Sequence, residues 1–262
     1  MKRQQLMEIE DQDWCPTAVR NGVTDTLATS QRLVGGARVA APLVQKLLRV
    51  TGERRVIDVC SGAGGPLREL ARELTAIGET GVRCTLTDKF PNLDALGTLA
   101  SESGGAVDFI SESVDATDVP ADLHGVRTQF ASFHHFAPDA ARSILADCVR
   151  KRQAVGIFEY TSRDPLTMLS IVLIPFGQLF FAPFQRPFSL ARLLLTYLLP
   201  AIPFVLVFDG LMSCFRSYDP DELRELTAGL GGKDWVWEID SKVVDWFPVR
   251  MTSLLGYPKP AA

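Results

Sequence analysis

The 262-residue chain lacks most of the features that announce a compartment or a macromolecular partner. Its five cysteines, Cys15, Cys60, Cys84, Cys148 and Cys214, are odd in number, scattered and never spaced as C-x-x-C. That argues against a disulfide framework and a zinc site, and points to a reducing compartment. Met1-Lys2-Arg3-Gln4-Gln5 is followed by no apolar run, so no secretory signal is expected there. There is no basic block and the formal net charge is −4, so nothing suggests nucleic acid. Internal repeats and low-complexity tracts are absent. Phosphate-binding signatures are missing too. No Gly-Lys-Ser/Thr occurs, and a G-x-G-x-x-G counted from Gly62 fails at Leu67.

What is present begins at Val56-Ile57-Asp58-Val59-Cys60-Ser61-Gly62-Ala63-Gly64-Gly65-Pro66. It reads as a buried strand ending in an acid, a glycine turn, and a helix with Leu67, Leu70, Ala71 and Leu74 at helical spacing. Such a turn, at the carboxyl end of a parallel sheet, is where open α/β folds bind nucleotides. Pro66 removes an N–H that a pyrophosphate would want. Asp58 would repel phosphate and welcome an ammonium group. The turn therefore suits a cationic, phosphate-free nucleoside. A second strand at 82–87 ends at Asp88, 26 residues after Gly62, where a carboxylate can accept from both ribose hydroxyls.

These residues resemble the class I S-adenosylmethionine (SAM)-dependent methyltransferases, whose first motif is acid-x-Gly-x-Gly-x-Gly. Cys60 stands at the first glycine of that motif, so this part of the turn must be shaped differently. The likeness covers roughly residues 54–163 and, more loosely, the last forty. It implies SAM as cofactor, with Asp58, Cys60, Ser61, Gly62 and Gly64 at its methionine part and Asp88 and Lys89 at the ribose. Asp115 and Ala116 would meet the adenine, with Asp118 a rival for that acid, and Phe133 would lie beside the cofactor.

Strands are expected at 107–110, 128–133 and 154–160, with a helix at 139–149, giving five strands and four intervening helices in a doubly wound parallel sheet. Strands at 235–239 and 249–257 would complete a seven-stranded Rossmann-like sheet with an antiparallel edge. Between them and the core, Asp219-Pro220-Asp221-Glu222 starts a helix with a capping acid and a first-turn proline. Residues 1–53 carry two or three helical segments, including an amphipathic one at 39–50, and form a lid by resemblance. Trp14, at the end of the acidic stretch 7–16, either packs that lid down or meets the substrate.

His134 and His135 fall on the rim where a methyl acceptor would lie. One of them can serve as a base, or both can be structural. No third metal ligand is evident beside them.

From Pro165 to Gln185 no residue is charged, and after Arg186 and Arg192 a second apolar run extends from 193 to 208. Prolines at 175, 183, 200 and 203 interrupt both. The insertion, 164–216, reads as a membrane span, as a hairpin dipping into one leaflet with Arg186 and Arg192 at the headgroups, or as a helical cap hidden by the core or a second subunit. Tyr160, Tyr197, Ser213 and Arg216 are candidate substrate contacts, and Arg216 is equally a partner for Asp209. Residues 217–262 complete the domain plan.

The expectation is a methyltransferase acting on an oxygen, or secondly a nitrogen, of a hydrophobic small molecule, with His134, His135 and Asp209 as candidate bases. It would be cytoplasmic, with or without peripheral attachment to the inner face of a membrane. The alternative keeps the fold but binds a lipid or partner, or cyclises its substrate, without methyl transfer.

Overall fold

The computed structural model describes residues 2–243 and 250–260. Two helices, α1 (Thr17–Val34) and α2 (Gly36–Thr51), follow an irregular N-terminal strap, residues 2–16. The core then runs β1 (Arg55–Asp58), α3 (Leu67–Ala76), β2 (Arg83–Leu86), α4 (Leu93–Glu102), β3 (Val107–Phe109), β4 (Val126–Phe130), α5 (Pro138–Arg150) and β5 (Val155–Glu159). A cap of α6 (Pro165–Phe181), α7 (Leu190–Tyr197) and α8 (Ala201–Arg216) comes next. The chain closes with α9 (Pro220–Thr227), β6 (Trp235–Val243) and β7 (Arg250–Pro258). The strand expected at 249–257 thus starts, as far as it is described, at Arg250; Val249 lies outside the described residues.

The seven strands lie in the order β3-β2-β1-β4-β5-β7-β6. The first five are parallel, and β7 runs antiparallel between β5 and β6. Two expectations are corrected. The last strand, β7, is antiparallel as expected, but it is not the edge: β6, antiparallel to β7, is the edge and points the same way as β5. Three helices, not four, separate the five parallel strands, because residues 110–125 cross from β3 to β4 without one. That stretch carries Pro120 and several acids, and it reaches the core as irregular chain through Val114, Ala116, Val119 and Leu123.

Alternation along the strands explains the two layers. Val56 points into a core with Leu47 and Leu48 of α2 and Leu67, Leu70 and Leu74 of α3, while Ile57 next to it faces Ile144 and Leu145 of α5 and Leu226 of α9. Each fully buried leucine stabilises the fold by roughly 1.5–3 kcal/mol. β1 and β4 are neighbours although a helical crossover, β2 and β3 separate them in sequence, so the strand order reverses there. That reversal opens a crevice at their carboxyl ends, which is where such sheets receive ligands.

The cap is attached to α1. Val19 and Val23 pack on Ile202, Val205 and Leu206 of α8. Among the described residues no single helix is long and apolar enough to cross a membrane, and α7 and α8 meet at 77°. Arg192 is not at a headgroup position: it is buried, 2.6 Å from Asp25 of α1.

Candidate active site

Above the carboxyl ends of β1, β2 and β4 lies a cavity of about 360 Å³. Its floor is Asp58 and the turn residues Cys60 to Ala63 and Gly65; Asp88, Lys89, Phe90 and Asn92 wall one side, and Phe130, Ala131, Ser132, His135 and Phe136 another. The turn is held from both sides. Asp88 accepts from the Gly62 N–H (2.7 Å) and the Phe90 N–H (2.8 Å), tying the end of β2 to the loop after β1. Asp58 accepts from Thr128 Oγ1 and Ser61 Oγ, each at 2.7 Å.

Cys60 keeps the conformation of the glycine it replaces, with φ at 60°. A non-glycine residue there is strained, yet its Sγ finds Gln129 Nε2 at 3.5 Å. Gly64 is required for another reason: a Cβ there would stand 2.5 Å from Leu99 Cδ1, blocking the approach of the turn to α4. It packs the turn and does not line the cavity. Burial, the Asp88 charge and the Asp58 and Asp115 charges push the Cys60 thiol well above its ordinary value, so it is a neutral wall. Burial also pushes Asp58 up to about 7, with Asp88 adding to the effect.

Asp58, Cys60, Ser61, Gly62, Asp88 and Lys89 therefore come together around one space. Asp115, Ala116 and Phe133 do not line it. Asp115 is exposed and accepts from the Thr117 N–H and hydroxyl, with Lys89 Nζ 3.9 Å away. Ala116 and Phe133 are core residues, the Phe133 ring tilted against that of Tyr218 with centroids 5.5 Å apart. Asp118, the rival, is 85% exposed and meets Lys151 instead.

The nominated bases are occupied. His134 is buried with Nδ1 2.7 Å from Glu159, away from the cavity. His135 lines the cavity, but its Nδ1 meets Glu8 and Asp11, each at 2.8 Å. Burial opposes its charge, and those two carboxylates nevertheless raise it well above its ordinary range, so it is a cation at neutral pH. Asp209 accepts from the Ile9 and Glu10 N–H groups at 2.8 and 2.9 Å and anchors the strap. Arg216 pairs with Glu8 (3.1 Å) and Asp11 (2.7 Å), not with Asp209, and also donates to the His134 and His135 carbonyls. It is saturated and buried. Glu8 supplies the third group that the sequence did not show beside the histidines, but the Arg216 guanidinium already sits against it.

A second chamber, of about 440 Å³ and almost wholly apolar, lies between α1 and α6. Leu27, Gln31 and Ala131 line both spaces, so the two share a wall. Tyr160 lines the chamber, with its hydroxyl buried, unpartnered and packed against Gly36. Burial, then the Glu159 charge, push that hydroxyl well above its ordinary value. The other nominated substrate residues lie elsewhere. Trp14 is 63% exposed, Tyr197 donates to the Leu179 carbonyl at 2.5 Å, and Ser213 bonds Glu8 at 2.9 Å.

Sequence reasoning missed the roof. Arg20, Thr24, Leu27 and Gln31 of α1 face the cavity, as do Glu10 and Asp11 of the strap. The spacing i, i+4, i+7, i+11 was a readable helical stripe. Gln31 Oε1, Ser132 Oγ and Glu10 Oε2 are buried around the cavity without a partner. Orphaned polar atoms beside carboxylates suit a ligand that carries an ammonium and hydroxyls, and so fit SAM.

No protein-family model and no curated protein matches the chain. Solved structures do. An O-methyltransferase family protein from Burkholderia thailandensis aligns at TM-score 0.50 and 15% identity, covering 88% of this chain and 58% of that one. The mitomycin 7-O-methyltransferase MmcR aligns at TM-score 0.49 and 14% identity (85% and 54%). Human N-acetylserotonin methyltransferase in complex with SAM aligns at 0.46 and 14% (87% and 55%). The chain thus spans somewhat more than half the length of the structures it matches. Strand order, the acid–glycine turn and the first of these likenesses together give the chain the fold of the class I SAM-dependent methyltransferases.

Proposed function

We propose that this protein transfers the methyl group of SAM to an oxygen, or secondly a nitrogen, of an apolar small molecule. The observation that carries the reading is the shared wall: a donor cavity floored by carboxylates and glycines abuts an apolar chamber across Leu27, Gln31 and Ala131. Asp58 and the turn after it would hold the methionine part, Asp88 the ribose hydroxyls, and the Phe90 ring would flank the base. When bound, SAM supplies a methyl group activated by its positively charged sulfur.

The chain contributes alignment and dryness. Holding donor and acceptor in adjoining spaces, with the methyl and the acceptor atom meeting at the border formed by Leu27, Gln31 and Ala131, would make the reaction effectively unimolecular. The strap and α1 roof the cavity, which would limit the water around the reacting atoms. Proton handling is modest. His135 is already protonated and the Tyr160 hydroxyl keeps its proton, so neither takes one from the acceptor. Tyr160 instead donates a hydrogen bond to the acceptor oxygen. The acceptor is then one that ionises by itself, such as a phenol or enol, its proton going to solvent.

Calorimetric titration with S-adenosylhomocysteine tests the reading. Wild type should bind, and Asp88→Ala should weaken binding about 10- to 100-fold, as loss of a charged hydrogen-bond acceptor implies. No heat with wild type would end it. Binding without radiolabelled methyl in any extracted product would favour a lipid-binding or cyclising protein.

A further inference from the structure

The cap is built inside out. On α6 the buried stripe is Thr167, Ile171, Pro175 and Gln178, while Leu166, Leu169, Leu173, Phe176 and Phe180 are exposed at 51–67%. On α7 the buried residues are Arg192 and Thr196, while Leu190, Leu194 and Tyr197 are outside. The polar groups bond one another in the interior: Thr26 Oγ1 donates to Gln178 Oε1 (2.8 Å), Gln185 Nε2 to the same oxygen (2.8 Å), and Arg192 to Asp25. Sixteen of the twenty-three exposed large apolar side chains among the described residues fall between Leu166 and Phe204. Polar groups turned inward and hydrocarbon outward is the arrangement of helices that meet lipid.

Charge around the face agrees. No acidic residue occurs from Pro165 to Phe208. Arg192 is internal, which leaves Arg186 as the exposed cation of the cap, and Arg32 lines the same small cleft beside it. An apolar face carrying arginine at its rim complements an anionic lipid surface. The chamber reaches this face as well, since Leu173 and Phe181 line it and are 54% and 36% exposed.

We infer that the outward face of α6 and α7 docks on an anionic lipid bilayer, setting the mouth of the apolar chamber against the hydrocarbon. No single described helix is long and apolar enough to cross a membrane, and α8 of the bent α7–α8 pair buries Ile202, Val205 and Leu206 against α1, so the contact we infer is interfacial. The acceptor then enters laterally from the lipid; this last step alone rests on the chamber being the acceptor site.

The test is flotation of the full chain with vesicles of phosphatidylcholine containing phosphatidylglycerol, without cofactor or acceptor, so that its outcome is separate from that of methyl transfer. Wild type should float. Phe176→Ser with Phe180→Ser should lower partitioning about 100-fold, following the transfer free energy of two phenylalanine side chains. Arg186→Ala should lower it about fivefold on the anionic vesicles and little on pure phosphatidylcholine. Undiminished S-adenosylhomocysteine binding by the double variant would show that it is folded, because neither phenylalanine lines a cavity. Wild type remaining unbound would overturn the inference. So would a stable dimer in light scattering that ignores vesicles and falls to monomer in the double variant.

Discussion

The sheet and the cap obey opposite rules. In the sheet, Leu67, Leu70 and Leu74 of α3 turn inward and Arg68 and Arg72 outward. In the cap, Thr167, Gln178, Arg192 and Thr196 turn inward and leucine and phenylalanine outward. The first region is stabilised by taking hydrocarbon out of water; in the second, α8 meets α1 through an apolar seam, but α6 and α7 are held from inside by hydrogen bonds and one buried ion pair. Hydrophobicity along the sequence therefore means core in one segment and surface in the other.

That contrast can be broken at several points. The largest effect is expected at the ion pair that fastens the cap. Arg192→Leu leaves Asp25 buried and unpaired and should cost about 3–5 kcal/mol, while Asp25→Leu with Arg192→Leu should restore most of it. Denaturant unfolding of the three proteins measures this directly. Next comes a matched pair of apolar truncations. Leu70→Ala, in the sheet core, should cost about 2–5 kcal/mol, whereas Phe180→Ser, on the cap, should change stability by no more than about 0.5 kcal/mol. Similar losses at both would erase the distinction.

A smaller effect concerns the strap that roofs the cavity. Burial pushes the Glu10 carboxyl up to about 8 from its ordinary 4.5, against the opposing charge of His135. Between those values the folded chain retains a proton that the unfolded chain has lost. Stability then falls as pH rises from about 4.5 toward 8, by up to about 1.4 kcal/mol per pH unit from this group. Glu10→Gln should flatten that part of the melting-temperature profile and raise the melting temperature at pH 8.

The legible parts of the sequence were those where function and local structure share a few adjacent residues. The acid of β1, the glycine turn and Asp88 could be read because one helix and one strand fix the distance between them. The same spacing placed Cys60, though not its glycine-like conformation. What escaped was tertiary. His134 and His135 look like bases in isolation. Their carboxylate partners, Glu159 for one and Glu8 and Asp11 for the other, come from β5 and from a strap more than 120 residues away. Asp209 and Arg216 likewise serve the strap, and Asp115 sits in its own turn outside the cavity. The cap's composition was plain, yet which side of each helix faces out depends on α1, which no local pattern records. Ser213 and Tyr197, candidate substrate contacts by sequence, line neither cavity for that reason.

The shared wall between the two cavities is best tested by filling only one of them. Ile174 lines the apolar chamber and not the cofactor cavity. With Ile174→Trp, S-adenosylhomocysteine affinity should stay within about threefold of wild type, while transfer of labelled methyl into extractable product from an apolar phenol pool should disappear. Undiminished transfer by this variant, at wild-type cofactor affinity, would contradict the account.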